Sequence, residues 1–414
     1  MNNFKRWGIA LAGVLLQVAL GSIYAWSVFR VPLAEQFHWS ISQVTMTFTI
    51  SIFALGFSAF FGGLWLKRVG PRVVAMTGGV LFGGGIYMAS FSYLGLWWLY
   101  ITYGLIGGIG LGLSYIVPIS VLVKWFPDKR GLITGIAVGG FGAGAFITAP
   151  IATRLIESVG VLQTFSYLGV ANLIVVVVAA FFLKNPPDGW LPENWQPEKI
   201  LKTQKNGGVF KLGEALITWQ WWALWLLLFL NSLAGISIIS QEAPMFEELA
   251  NITPLVAAGM ISIVSIGNAV GRVFWASVSD VIGRKTAFSM MFLIQIILFW
   301  ILPSFHSIVT ITIVVFLVLM CYGGGFGTMP ALVADYFGTE NMGAIYGLML
   351  TAWGFSSVFG PLLIAHLRQL SGTFASGLHI ISMIMAVAVI LPIVLKRPEN
   401  GVYIEDENAA LLSR

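Results

Sequence analysis

The 414-residue chain is predicted to be an all-α membrane protein of twelve transmembrane helices, six in each of two pseudo-symmetric bundles. Three observations carry that prediction. Only 9% of the residues are charged and 58% are hydrophobic, with a mean hydropathy of +0.89, whereas a soluble domain carries about a quarter charged residues. Apolar stretches of about 20 residues, the length a helix needs to cross hydrocarbon, recur along the whole chain. One polar stretch, 184–216, divides them into two equal sets. Barrel strands would be about half as long, with alternating polarity.

In the first half the predicted spans are 7–29, 41–66, 73–94, 97–123, 131–153 and 163–183. The first follows Lys5 and Arg6 and is too long for the apolar region of a signal peptide, so it is expected to stay as a helix. The second ends at Lys67-Arg68-Val69-Gly70-Pro71-Arg72, where glycine and proline force a turn. Glycines at helical spacing in the fourth span (Gly104, Gly108, Gly112) and the fifth (Gly135, Gly139, Gly140) allow close helix approach. The run Gly140-Phe141-Gly142-Ala143-Gly144-Ala145 formally matches a dinucleotide-binding fingerprint. It follows no strand and lies inside a span, so the match is accidental.

The polar stretch contains Pro186, Pro187, Pro192 and Pro197 with most of the mid-chain lysines and reads as a cytoplasmic linker. Second-half spans are predicted at 217–239, 255–278, 286–303, 308–334, 342–366 and 375–395. The expected organisation is therefore a bundle over 1–183, the linker 184–216, a second bundle over 217–395 and a tail 396–414. The turn after the eighth span, with Asp280, Gly283, Arg284 and Lys285, echoes the one after the second. Such a repeat predicts a site between the halves near the bilayer midplane.

Charge placement orients the chain. Of 22 basic residues, eighteen fall on one side, among them Lys67, Lys124, Lys129, Arg284, Lys199, Lys202, Lys205 and Arg414. Arg30, Arg154 and Arg368 fall on the other, and Arg272 alone is mid-span. By the positive-inside rule both termini are expected in the cytoplasm, in a multi-pass protein of the inner membrane. The net charge of +5 thus has a membrane explanation and predicts no nucleic-acid partner. The single cysteine, Cys321, excludes an intrachain disulfide. The four histidines are scattered, with no metal-ligand spacing or nucleophile arrangement, so neither an enzyme nor a cofactor is predicted.

Arg272 is the most informative residue. A guanidinium keeps its proton at any accessible pH, and burying one in hydrocarbon costs several kcal/mol, roughly 2.5–3.5 on the mildest scale. It must face a cavity or bundle interior, and the partner it suits best is a carboxylate. Asn268 lies four residues earlier on the same helix face, placed to orient the guanidinium or bind a substrate hydroxyl. Tyr24, Tyr115 and Tyr322 fall within the first, fourth and tenth spans, where their hydroxyls can donate to an anion. Packing and interfacial anchoring are the bland alternatives for each.

The short basic loops resemble the signature loop of the major facilitator superfamily, seen once per half; Lys67 stands where the first copy usually has an acid. The run Lys124-Trp125-Phe126-Pro127-Asp128-Lys129-Arg130-Gly131 extends the likeness. Together with Gly21-Ser22-Ile23-Tyr24-Ala25-Trp26 and Gly267-Asn268-Ala269-Val270-Gly271-Arg272, it resembles the oxalate/formate antiporter family. That family is related to the proton-linked monocarboxylate transporters. The resemblance implies the major facilitator fold, alternating access, and an anion cavity lined by aromatics, adding Trp26 and Trp353 to the candidates. It also implies that the oxalate-exchanging branch carries a lysine in the eleventh span, where Trp353 stands here. One fixed cation matches one carboxylate, so lactate, pyruvate or a similar monocarboxylate is expected over oxalate.

The coupling partner is expected to be a proton. Proton-linked relatives typically carry an aspartate four residues before the arginine, and Asn268 occupies that position. His366 in the eleventh span is a candidate proton carrier. Exchange of anions is the alternative, because an empty carrier keeps an unpaired charge on Arg272. A carboxylate sensor without net transport is the reading from another class, and it would need an output domain. A monomer is expected to suffice.

Overall fold

A computed structural model describes residues 3–187, 190–192, 210–252 and 254–398. Pro197, Lys199, Lys202, Lys205 and Arg414, used above, lie outside the described residues. Among the described residues all regular structure is helical. We number the spanning helices α1 (Arg6–Phe37), α2 (41–69), α3 (71–88), α4 (Leu96–Trp125), α5 (Arg130–Val159) and α6 (Val161–Phe182). The second half supplies α7 (Trp219–Ile239), α8 (Pro254–Ile282), α9 (Arg284–Ile301), α10 (Ile308–Phe337), α11 (Met342–Ser371) and α12 (Phe374–Val394).

The echoing turns have one physical basis. Gly70 (φ 81°) and Gly283 (φ 90°) both adopt a conformation that side chains with a Cβ rarely reach. Each therefore reverses the chain between two helices in a single residue. Ser40 and Gln43 form a reciprocal cap that starts α2, and the Thr218 hydroxyl accepts from the Trp221 N–H to start α7.

The largest difference from the predicted boundaries is in α1. α1 continues to Phe37, beyond the predicted end at 29, and so includes Arg30 and Pro32. Proline removes one main-chain donor, a loss membrane helices tolerate when neighbours compensate. Within α1 the turn tightens to a 3-10 segment at Gly21–Trp26.

The halves meet mainly through α5 against α8 and α2 against α11. Glycines set the separation: a Cβ on Gly142 would meet Ala269 at 2.8 Å, and one on Gly56 would meet the Leu350 carbonyl at 2.8 Å. On the face carrying the basic turns, Asp280 accepts from the N–H groups of Gly131 at 3.2 Å and Leu132 at 3.0 Å. Asp335 pairs with Arg130 and with Arg284, each at 3.4 Å. Lys67, the departure from the signature, meets Glu340 of the second half at 3.8 Å. The end of the linker docks on this face, where Phe210 donates its N–H to the Phe337 carbonyl at 3.2 Å.

Candidate substrate site around Arg272

Two helices hold the guanidinium. On α8, Asn268 and Arg272 lie one turn apart, and their main-chain carbonyls run against glycines of α10. A Cβ on Gly323 would overlap the Asn268 carbonyl, and one on Gly327 would overlap that of Arg272. This bare surface lets α8 approach α10 closely and fixes where the arginine leaves the helix.

Arg272 has no exposed surface. Its Nε donates to Asn268 Oδ1 at 3.1 Å, one Nη to the Val138 carbonyl at 3.1 Å and the other to Tyr24 Oη at 3.5 Å. The last is long. The guanidinium also lies beside two rings, 5.4 Å from the centre of Phe141 and 5.3 Å from that of Phe326, within cation–π range. Its partners thus come from both halves: Tyr24, Val138 and Phe141 from the first, Asn268 and Phe326 from the second. Among the described residues no carboxylate pairs with it.

Tyr24 belongs to the 3-10 segment of α1. Gly144 of α5 packs against that segment at Gly21, which brings the Tyr24 ring edge-on to Phe141 at 5.1 Å. Tyr24 and Tyr322 place their hydroxyls 3.3 Å apart. Trp353 of α11 closes the cluster, 4.7 Å from Phe326, 5.9 Å from both Tyr115 and Phe141, and 6.4 Å from Tyr24. Tyr115 Oη, Trp353 Nε1 and Tyr346 Oη are buried and make no hydrogen bond of good geometry among the described residues; Tyr115 interacts with Tyr346 and Arg272, and Trp353 with Tyr322.

Of the residues singled out from sequence, Arg272, Asn268, Tyr24, Tyr115, Tyr322 and Trp353 stand together. Trp26 does not join them: it packs within the first half on Tyr103 at 4.5 Å, Phe29 at 6.0 Å and Phe165 at 6.3 Å. His366 is exposed, between three and four turns beyond Trp353 on α11. Phe141, Phe326, Tyr346 and the Val138 carbonyl were not foreseen. Phe326 follows Tyr322 by one turn, a spacing that could have flagged it; Phe141 sits in the glycine run set aside as an accidental match.

A guanidinium has five N–H donors, of which three are committed here. The remaining donors, a fixed positive charge and an aromatic wall suit a small anionic head group. A second negative charge would find no fixed cation beside it, since the other buried cation among the described residues, Arg6, is paired with Asp128 at 3.0 Å.

A twelve-helix bundle with a buried cation at the junction of its halves has the architecture of a membrane carrier. The sequence model of the Major Facilitator Superfamily matches residues 10–361, and the chain belongs to that family. It is 28% identical over 363 residues to the oxalate:formate antiporter of Oxalobacter formigenes, covering 86% of this chain and 83% of that one. It is 24% identical over 469 aligned positions to apicoplast pyruvate carrier 1 of Toxoplasma gondii, covering 89% and 85% respectively. A crystal structure of a double-tryptophan mutant of XylE superposes with a TM-score of 0.76 at 17% identity, over 99% of this chain and 100% of that one. That likeness concerns the fold alone.

Proposed function

We propose that the protein carries small monocarboxylates such as L-lactate or pyruvate, with the two halves rocking around one anion held at Arg272. The observation that carries this reading is a fully buried guanidinium with no carboxylate partner among the described residues. An uncompensated buried charge is costly, and a bound carboxylate supplies the missing partner. Trp353 occupies the wall of the site with a neutral ring, which favours a monoanion over a dianion. Similarity to a pyruvate carrier and to an oxalate:formate antiporter supports a carboxylate substrate.

Proton symport is the coupling we favour. Anion exchange is the second reading, supported by the oxalate:formate relative and by the charge left on an empty Arg272. The basic face is assigned to the cytoplasm of an inner membrane, with both termini there, and the carrier acts as a monomer.

Labelled L-lactate uptake into proteoliposomes tests these readings. Stimulation by an inward proton gradient alone supports symport. Stimulation only by unlabelled acid inside supports exchange. No lactate, pyruvate, oxalate or formate uptake under either condition overturns the carboxylate reading.

A further inference from the structure

Glu242 is the only buried carboxylate among the described residues, 4% exposed. It opens a short helix, Glu242–Ala250, between α7 and α8 on the face opposite the basic turns. Its Oε1 is buried and accepts no hydrogen bond among the described residues. From the other half, Arg30 of α1 acts on it electrostatically, and Arg30 Nε is itself buried without a hydrogen-bond acceptor. A buried carboxylate and a half-buried guanidinium from opposite halves thus act on each other, with hydrogen-bonding capacity unused on both.

We infer that Glu242 is a proton-binding site that sets the opening of this face: closure buries the carboxyl with a proton on it, and opening returns it to water and releases that proton. The neighbouring ionisable groups are engaged elsewhere or exposed. Glu248, on the same short helix, is already paired with Arg368 at 3.0 Å. The His306 ring meets the Leu249 carbonyl at 3.4 Å. Glu35 and His38, at the end of α1, are exposed, and the side chain of Glu247 lies outside those described. Arg30 is the charge that acts on Glu242. Burial pushes the Glu242 carboxyl up to about 8 against the pull of Arg30, so at neutral pH the closed form holds the proton.

The sign follows from linkage. The closed form binds the proton more tightly than the solvated open form, so acid favours closure. Closure is lost as pH rises through about 8. The closed-to-open ratio changes by up to about tenfold per pH unit between the ordinary carboxylate range and that value. The proton enters and leaves by the same face. Glu242 therefore tunes a conformational equilibrium and does not itself carry charge across the membrane. The inference rests on the halves rocking apart, and on no particular substrate.

The test is a distance measurement between spin labels at Gln36→Cys and Gln369→Cys, both exposed and one in each half, in lipid nanodiscs from pH 5 to 9. The native cysteine, Cys321, is buried. With Glu242 and Arg30 intact, the short-distance population is expected to fall as pH rises through about 8. Glu242→Gln keeps that population closed at every pH. Arg30→Gln retains the transition and moves its midpoint upward, because the stabilising positive charge is gone. A wild-type profile without pH dependence overturns the inference; so does an unchanged transition in Glu242→Gln, or an unmoved midpoint in Arg30→Gln. No substrate is present, so failure of the monocarboxylate reading leaves this result separately interpretable.

Discussion

Asp280, at the end of α8, accepts a hydrogen bond at 3.2 Å from the main-chain N–H of Gly131, 149 residues away in the other half. Its second oxygen accepts from Leu132 at 3.0 Å. The first turn of α5 presents N–H groups with no acceptor inside their own helix, and a carboxylate is the favoured partner of that positive end. One half thus caps a helix of the other, and the cap exists only while the basic face is closed. Gly131 has no room for a side chain, since a Cβ would lie 2.5 Å from an Arg284 Nη.

Asp280→Asn keeps an acceptor and loses the charge. The closed form should weaken by about 1–2 kcal/mol, a shift of roughly 5- to 30-fold. Thr134, whose hydroxyl bonds the Gly327 carbonyl across the same interface, reports it. Thiol labelling of Thr134→Cys should accelerate by that factor in the Asp280→Asn background.

Arg272→Ala should abolish carboxylate binding and transport. Arg272→Lys keeps the charge but not the planar fork that reaches Asn268, Val138 and Tyr24 together. We expect affinity to fall at least 30-fold, about 2 kcal/mol or more for a buried charged hydrogen-bonded pair. Equal transport in Arg272→Ala and wild type would remove this site from the mechanism.

Tyr24→Phe deletes a hydroxyl that touches Arg272 and Tyr322 and leaves the ring on Phe141. Net loss of a hydrogen bond is worth about 0.5–1.5 kcal/mol. Titration of the carboxylate by calorimetry should show a roughly 2- to 12-fold weaker Kd, with unchanged thermal stability.

Two glycines separate gating from folding. A Cβ on Gly63 of α2 would overlap the Gly343 carbonyl of α11, between the halves; one on Gly323 would overlap Asn268 within the second half. Overpacking costs about 1–3 kcal/mol. Gly63→Ala should slow turnover with little change in Tm, because each half still folds. Gly323→Ala should lower Tm as well as binding.

His366 is exposed and apart from the Arg272 cluster. Uptake driven by a proton gradient should persist in His366→Gln, and its loss would place the coupling proton on α11.

The helical membrane fold and the burial of Arg272 were legible because hydrocarbon imposes local rules. A span needs about 20 apolar residues, and a charge inside one has to be explained. Lys67 and Trp26 show where legibility ends. Lys67 stands where the first loop copy usually has an acid, and its partner Glu340 lies in the other half. Trp26 shares a motif with Tyr24, but two residues along a 3-10 turn carry its ring to a different cluster. Phe141 and Tyr346 are apolar or amphipathic residues in apolar spans, so nothing in their own surroundings marks them, and only its spacing from Tyr322 marks Phe326.

The sequence by itself determined which segments cross the membrane, where they turn and that one cation lies inside a span. These follow from hydropathy, from glycine's backbone freedom at Gly70 and Gly283, and from a guanidinium that cannot lose its proton. Only the tertiary structure decided that Tyr24, Phe141, Phe326 and Trp353 surround Arg272, and that Arg30 acts on the buried Glu242 at the far face. Those pairings are set by how closely glycine-faced helices approach across the two halves, a long-range property that no local pattern encodes.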